Sequence, residues 1–273
     1  MDGHRAHSAP ADDRAGRLLH LDGRAPVLPW PGGAEATLRR YLLLIAAAAL
    51  VVLAWWAAAF VQTAEAQLAA LPAQVRAEAA ARHVPYLPLA AIPPGLQHAV
   101  IAVEDQTFYT NSGISIEGVA RAALVDLVTR TYAQGGSTIT QELVRDQLLG
   151  DQKTVSRKLT EIAYALLLTR RLPKATILEL FLNQAYFGHQ AWGAYAAAEA
   201  YFGLRPQDLD LAQEALLAGL LQAPTNLDPF VNPQGAIARQ AVVLQAMVNA
   251  NYISQAQAQA AARAPLGLLP SGR

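Results

Sequence analysis

The chain's 273 residues predict one main domain with accessory segments, and 53% of them are apolar while only 15% are charged. Lys and Arg together number 21, as do Asp and Glu, so the bulk charge gives no reason to expect binding to nucleic acid. Because Cys is absent, disulfides, thiolate zinc sites and thiol catalysis are excluded.

The N-terminal part of the chain predicts a membrane anchor. Residues 1–40 contain scattered Arg, Asp, Gly and Pro without apolar periodicity, and we expect them to form a disordered cytoplasmic tail. Residues 41–61 are uncharged and apolar, which is about the length that a helix needs to cross a bilayer of roughly 30 Å. Arg39 and Arg40 precede this run, so the positive-inside rule predicts that the chain after residue 61 lies outside. A cleaved signal peptide is the alternative, but the run is long and far from the N-terminus.

Residues 62–94 are expected to be a stalk followed by a Pro-rich linker. Residues 62–83 are rich in Ala, Gln and Arg and predict a helix, and four prolines between 85 and 94 then favour an extended segment. Helical periodicity dominates from residue 95, and no useful stretch alternates with a period of two. The sequence therefore predicts an essentially all-α domain over residues 95–258 and a tail at 259–273.

Several helices can be placed within this domain from apolar spacing and capping signals. The first ends at Glu104, the next is capped by Ser115, and a capping box of Thr138 and Gln141 begins a third. A polar loop is expected at 129–136. The remaining expected helices span residues 116–127 (the one capped by Ser115), 154–171, 174–183, 210–221 and 236–250.

Two adjacent acids, Glu104 and Asp105, end the first apolar helix and precede Phe108 and Gly113. Adjacent acids at a helix end are most often solvated, and this interpretation stays open. At a transition from core to loop, however, desolvation raises the pKa of a carboxyl group, as a general base that works near neutral pH requires.

The third expected helix has a polar face formed by Thr138, Glu142 and Arg145, with Gln141 beside them. An exposed polar stripe is the simpler interpretation. The functional one is that the glycines before Ser137 leave helix N-terminal amides free, and such amides bind phosphate or pyrophosphate.

On the next helix, Arg157 and Lys158 precede Glu161 by four and three residues, so both cations lie on its face. Two interpretations of this spacing remain open. The first is a weak ion pair within the helix. The second is a functional site in which the two cations keep Glu161 ionised and also neutralise a leaving phosphate.

In order and spacing, these blocks resemble the motifs of peptidoglycan glycosyltransferases (glycosyltransferase family 51), the transglycosylase domains of class A penicillin-binding proteins and their monofunctional relatives. The resemblance covers roughly residues 99–252. The family's first motif, Glu-Asp-x-x-Phe-x-x-His-x-Gly, is matched at Glu104, Asp105, Phe108 and Gly113. Its second motif, Gly-x-Ser-Thr-x-Thr-Gln-Gln, is matched as far as Gln141, and its third, Arg-Lys-x-x-Glu, at Arg157, Lys158 and Glu161. The fourth and fifth motifs are matched at 174–183 and 239–244.

Three positions depart from the family pattern. Asn111 stands where the family has His, Glu142 where it usually has a second Gln, and Arg145 where it usually has Lys. Asn cannot titrate, and Glu142 adds negative charge near the expected pyrophosphate site, with Arg145 as its expected partner. Both key acids remain, so the departures indicate altered activity rather than its loss.

The resemblance implies a lysozyme-like, two-lobed helical domain beside the bacterial cytoplasmic membrane, periplasmic or extracellular. It also implies inverting transfer of a lipid-linked glycan onto lipid II, which extends a β-1,4 strand and releases polyprenyl diphosphate. The implied partners are lipid II, the lipid-linked strand and the membrane, with cell-wall synthesis proteins as further candidates and no nucleic acid. No Ser-x-x-Lys or Lys-Thr-Gly occurs, so a penicillin-sensitive transpeptidase is not expected in this sequence.

The resemblance also implies roles for individual residues. Glu104 is the expected general base for the acceptor's 4-hydroxyl, and Glu161 assists departure of the pyrophosphate, either directly or through a divalent cation (Mg or Mn). No other cofactor is implied. The expected substrate-binding residues are Asp105, Phe108, Asn111, Ser137, Thr138, Gln141, Glu142, Arg145, Arg157 and Lys158.

Two functions of other kinds remain open. The first is a lysozyme-like enzyme that cleaves glycans with Glu104 as general acid, although a hydrolase needs no pyrophosphate site. The second is a catalytically impaired, membrane-anchored scaffold of the same fold, which the substitutions at Asn111 and Glu142 favour.

Overall fold

The computed structural model describes residues 32–115, 117–118, 136–150, 152 and 154–270. Within these ranges the chain is helical and contains no β-strand, apart from one isolated antiparallel bridge between Tyr186 and Trp192. The expected all-α class is therefore confirmed for the part of the chain that is described. The expected helix over 116–127 and most of the loop at 129–136 lie outside the described residues, as do residues 1–31.

Helix α1, Gly32–Ala81, is 50 residues long. Among the described residues it is the one helix whose length and composition suit a membrane span, with a mean hydropathy of 2.5 in its most apolar window. Residues 32–40, for which disorder is expected, form the first turns of this helix. Ala and Leu are strong helix formers, and Glu35 lies in the first turn, where the helix dipole favours an acid.

The second half of α1 packs into the hydrophobic core. Its buried residues recur every three or four positions and therefore share one face: Ala64, Leu68, Leu71, Val75 and Ala79. The compact unit of the chain begins at Ala58. The expected domain limit at residue 95 stays a prediction, but the helix expected over 62–83 does contribute to this unit.

The compact unit continues through eight further labelled helices in the described ranges. They are α2 (Pro94–Glu104), α3 (Ile139–Val144), α4 (Val155–Arg171), α5 (Lys174–Gln184), α6 (Gly193–Phe202), α7 (Leu211–Leu220), α8 (Pro233–Asn249) and α9 (Gln255–Arg263). A π-helical turn, Arg145–Leu149, extends α3, and short 3-10 turns occur at Leu89–Ala91 and Pro206–Asp208. Helices α6 and α9 are not among those expected from the sequence.

Two packed groups of helices position the site. Helix α2 packs against α7 and α8, while α3 packs against α4 and α5. The C-terminal end of α2 meets the start of α3, where Oδ2 of Asp105 accepts a hydrogen bond from the backbone N–H of Ile139 at 3.3 Å. The acids of the first motif therefore lie beside the polar residues of the second.

Candidate active site

Glu104 is the last residue of α2, and its side chain is 15% exposed. Its Oε1 is buried without a hydrogen-bond partner, and Nη2 of Arg239 on α8 lies 3.9 Å from it. Burial raises the pKa of Glu104, and the opposing charges of Arg239 and Arg145 do not reverse this. Glu104 has the properties of a general base, because its carboxyl group is nearly buried, its Oε1 accepts no hydrogen bond and its pKa is raised.

Asp105 is buried and connects the first motif to the interior. Nδ2 of Asn111 donates to both of its oxygens, at 2.9 and 3.0 Å. Burial raises the pKa of Asp105, while the hydrogen bonds from Asn111 and other donors lower it. Oδ1 of Asn111 accepts a hydrogen bond from Nζ of Lys174 at 2.7 Å, and the ammonium lies 4.6 Å from the ring centroid of the fully buried Phe108. Burial of Asp105 and Phe108 fits shaping of the motif better than direct contact with substrate.

The start of α3 forms the expected capping box. Oγ1 of Thr138 accepts the N–H of Gln141 at 3.1 Å, and Oε1 of Gln141 accepts the N–H of Thr138 at 3.0 Å. Because the N–H of Ile139 is bound by Asp105, the expectation of free amides for pyrophosphate is wrong at these three positions. Thr138 and Gln141 are buried, so they are not part of an exposed stripe.

Glu161 on α4 is almost fully buried, with 2% of its side chain exposed. Nη1 of Arg157 donates to Oε2 at 2.7 Å, while Nζ of Lys158 and Nε2 of Gln141 (3.2 Å) donate to Oε1. Lys158 also donates to Oγ of Ser137 at 3.1 Å. The cluster therefore joins the second motif to the third and keeps two cations beside one carboxylate.

Arg145 is electrostatically linked to both acids. Its charge lowers the pKa of Glu104. The pKa of Arg145 is raised: burial opposes the rise, the hydrogen bond and charge of Asp146 cause most of it, and the charges of Glu142 and Glu161 add to it. Its Nε donates to Oδ1 of Asp146 at 2.8 Å. The expected pairing of Arg145 with Glu142 is not formed, and Glu142 makes no side-chain hydrogen bond or ion pair within the described part of the chain.

The sequence matches the transglycosylase family over residues 72–248, which is more than half of the chain. The chain belongs to the transglycosylase family. A putative transglycosylase of Cupriavidus necator is 42% identical over 188 residues, which cover 68% of this chain and 81% of that protein. The resemblance noted from the motifs is thereby confirmed, and the family makes the chain a glycosyltransferase.

Longer proteins also contain this transglycosylase region. Penicillin-binding protein 1A of Vibrio cholerae is 42% identical over 185 residues, which cover 68% of this chain but only 22% of the relative. A crystal structure of penicillin-binding protein 1A from Haemophilus influenzae aligns with a TM-score of 0.41 and 23% identity, over 68% of this chain and 18% of that chain.

A divalent cation on Glu161 does not fit this transglycosylase site. Mg and Mn require several oxygen ligands that are not engaged elsewhere, whereas both oxygens of Glu161 accept hydrogen bonds from Arg157 and Lys158. A cation there would also lie beside two positive side chains. In residues 32–115, 136–150 and 154–270, no group of three His, Asp or Glu side chains is arranged to hold a metal.

Two cations of the transglycosylase site are not among the catalytic or substrate-binding residues expected from the sequence. Arg239 faces Glu104, and Lys174 binds Asn111. The available signal was their membership of the fifth and fourth motifs, but neither motif indicates which acid its cation approaches. The structure thus brings the predicted residues of the first, second and third motifs together, and their substrate contacts stay predictions.

Proposed function

We propose that the chain is a membrane-anchored peptidoglycan glycosyltransferase that polymerises lipid II into β-1,4-linked glycan strands and releases polyprenyl diphosphate. One observation carries the proposal: two acids in one neighbourhood have opposite environments. Glu104 has a buried oxygen without a hydrogen bond and a raised pKa, which suits a base. Glu161 is bound by Arg157 and Lys158, which suits a site for a departing diphosphate.

In the proposed reaction, Glu104 takes the proton of the acceptor's 4-hydroxyl as that oxygen attacks the anomeric carbon of the donor. The new C–O bond forms on the face opposite the diphosphate, the bond to the diphosphate breaks, and the configuration inverts. The released bonding pair stays on the diphosphate, whose charge is met by Arg145, Arg157 and Lys158. Glu161 assists departure by holding Arg157 and Lys158 in place rather than by giving up a proton.

The two cations remain able to act on the diphosphate. Nζ of Lys158 can donate three hydrogen bonds and gives two, to Ser137 and Glu161, and this side chain is 42% exposed. Nε of Arg157 also has no partner, but it is buried, so Arg157 acts on the diphosphate through its charge rather than through this atom. Gln141 supports the arrangement by binding Glu161 from α3.

The long apolar helix α1 supports anchoring in the bacterial cytoplasmic membrane, with the compact unit periplasmic or extracellular. Arg39 and Arg40 lie before the most apolar stretch, which favours a cytoplasmic N-terminus. Both proposed substrates carry polyprenyl tails, so an anchored enzyme meets them in the plane of the membrane.

Polymerisation of labelled lipid II by the full chain in detergent tests the proposal. Glu104→Gln keeps the size of the side chain but removes the base, so polymer formation should fall by about 100-fold or more. Glu214→Gln is the matched control, because Glu214 is another buried acid that packs against α2, at Gly95 near the opposite end of the helix. This control should retain activity.

The alternatives predict other results. Equal polymer from the wild type and Glu104→Gln would remove Glu104 from its proposed role. No polymer from any of the three proteins would favour the impaired scaffold. Release of soluble fragments from purified glycan strands would favour the glycan-cleaving enzyme.

A further inference from the structure

Glu142 is an acid of the site that the proposed reaction does not use. It lies in α3, directly after Gln141, and it is partly buried. Helix α3 begins against the first motif because the N–H of Ile139 binds Asp105, so Glu142 faces the end of α2 that carries Glu104. The charged groups that act on it directly are Glu104, Asp105, Arg145 and Asp146.

The cations around this cluster are already engaged with other acids. Arg145 pairs with Asp146 at 2.8 Å, Lys174 binds Asn111 beside Asp105, Arg157 and Lys158 bind Glu161, and Arg239 lies 3.9 Å from Glu104. In the described part of the chain, each of these cations is therefore held by a group other than Glu142. Glu142 is the acid of this cluster that has no cation within ion-pair distance among those residues.

A partly buried carboxylate without its own cation is unfavourable in the charged form. Burial raises the pKa of Glu142 well above its usual value, and the charge of Glu104 raises it further. The pKa of Glu104 is also raised, with Arg239 and Arg145 opposing that rise, whereas at Glu142 the opposing cation is Arg145. Because Nη2 of Arg239 lies 3.9 Å from Glu104, and no cation of the described residues lies within ion-pair distance of Glu142, the negative charge is better placed on Glu104 and the proton on Glu142.

We propose that Glu142 works as a neutral carboxylic acid, in place of the amide usual at this position of the second motif, and leaves Glu104 as the only base. A protonated carboxyl group offers one O–H donor and a carbonyl acceptor, as an amide offers an N–H donor and a carbonyl acceptor. This inference rests on the proposed function. Glu142 is a positioning residue, and its proton stays in place throughout the reaction.

The role predicts a loss of activity at alkaline pH. Below its raised pKa, Glu142 is neutral and the donor diphosphate meets no added negative charge. Above that pKa, the carboxylate repels the diphosphate, so KM rises and kcat/KM falls by about tenfold per pH unit, as for a single ionisation.

The first test measures kcat and KM for lipid II over about pH 5 to 9 with the full-length wild type, Glu142→Gln and Glu214→Gln. Gln is neutral at every pH, so Glu142→Gln should lose the alkaline fall in kcat/KM. Glu214→Gln should retain it, although burial raises the pKa of Glu214 to about 7. A fall caused by deprotonation of Lys174, whose pKa burial lowers, would persist in both variants.

A second test uses the thermal unfolding of the same proteins and needs no catalysis. The pKa of Glu in an unfolded chain is about 4.3, and that of Glu142 in the folded protein is raised. The stability contributed by its neutral form is thus complete below that unfolded value and is lost as the pH rises through the folded value. The Tm of Glu142→Gln should therefore increase relative to wild type as the pH rises over this interval.

The outcomes separate this inference from the function on which it rests. An alkaline fall of equal size in wild type and Glu142→Gln, or a Tm difference that is constant with pH, overturns the inference and leaves the glycosyltransferase assignment standing. No polymer from any of the proteins at any pH overturns the proposed function, and the positioning role of Glu142 with it.

Discussion

The side-chain amide of Asn111 forms hydrogen bonds with two groups of opposite charge. Its Nδ2 donates to both oxygens of Asp105, and its Oδ1 accepts from Nζ of Lys174. Asn provides this connection at every pH, whereas a protonated His at the same place would bring a second positive charge towards Lys174. Asn111 therefore links the C-terminal end of α2 to the start of α5 within the site.

Replacing Asn111 with Ala should destabilise the protein, and by more at neutral than at acid pH. Hydrogen bonds to charged groups contribute about 1.5 to 3 kcal/mol each, and the change removes such bonds from both Asp105 and Lys174. The bonds from Asn111 lower the pKa of Asp105, so their loss raises it further. Stability is then lost as the pH rises through the new folded pKa, because the charged form is the one that has lost its donors.

Thermal unfolding at about pH 4 and about pH 7 measures this dependence. Asn249→Ala is the control, because Asn249 is exposed and its side chain accepts a single hydrogen bond, from Gln245, among the described residues. A deficit of equal size at the two pH values would show that Asn111 does not stabilise the charged form of Asp105.

At the scale of helices, the chain uses the same capping box three times in the described ranges, at Thr138, Asp210 and Ser254. The box at Thr138 differs because it is connected to both neighbouring motifs. Oγ1 of Thr138 donates to the carbonyl oxygen of Gly113 at 2.7 Å, and Gln141 donates to Glu161. The cap of α3 therefore aligns the first motif with the third.

Replacing Thr138 with Val keeps the shape of the side chain but removes its hydroxyl group. Loss of an N-cap costs about 1 to 2 kcal/mol, and the buried carbonyl of Gly113 also loses its donor. Because α3 holds Gln141 against Glu161, we also expect kcat/KM for lipid II to fall by about tenfold, or about 1.4 kcal/mol.

Two further variants make this prediction specific. Thr138→Ser keeps the hydroxyl and should retain most of the activity. Ser254→Ala removes an exposed cap on α9, so it should reduce stability by about 1 kcal/mol, the cost of an N-cap alone, without changing kcat/KM. If Thr138→Val polymerises lipid II as fast as wild type, the cap is a stabilising feature only.

Local spacing explains which features of the site could be predicted from the sequence. The cap at Thr138 and the pairing of Glu161 with Arg157 and Lys158 depend on residues within one helical turn. The approach of Arg239 to Glu104 joins α8 to α2 and is set by tertiary packing, which no local pattern reports. Even one short-range expectation failed: Arg145 begins a π-helical turn, which changes the helical spacing, and it binds Asp146 instead of Glu142.

At the scale of the whole molecule, α1 changes its environment along its length. Leu43 and its neighbours in the apolar stretch are exposed, while Leu68 and Leu71 are fully buried in the core of the compact unit. The Ala-rich composition of this part of α1 did not distinguish a stalk from a core helix; the signal for a core helix was the spacing of the apolar residues between 64 and 79, which recur every three or four positions. The family match also begins within this helix, at residue 72.

The same substitution at two points of α1 should therefore have unequal effects. Leu68→Ala removes buried methyl groups and leaves a cavity, which costs about 2 to 5 kcal/mol. Leu43→Ala is the matched control. The side chain of Leu43 is exposed and leaves no cavity when it is shortened, so the free energy of unfolding should change little. Urea unfolding of the full chain in detergent, followed by far-ultraviolet circular dichroism, compares the two free energies of unfolding. Equal values would mean that the second half of α1 contributes no more to the folded unit than a free stalk does, and the core would have to be stable without it.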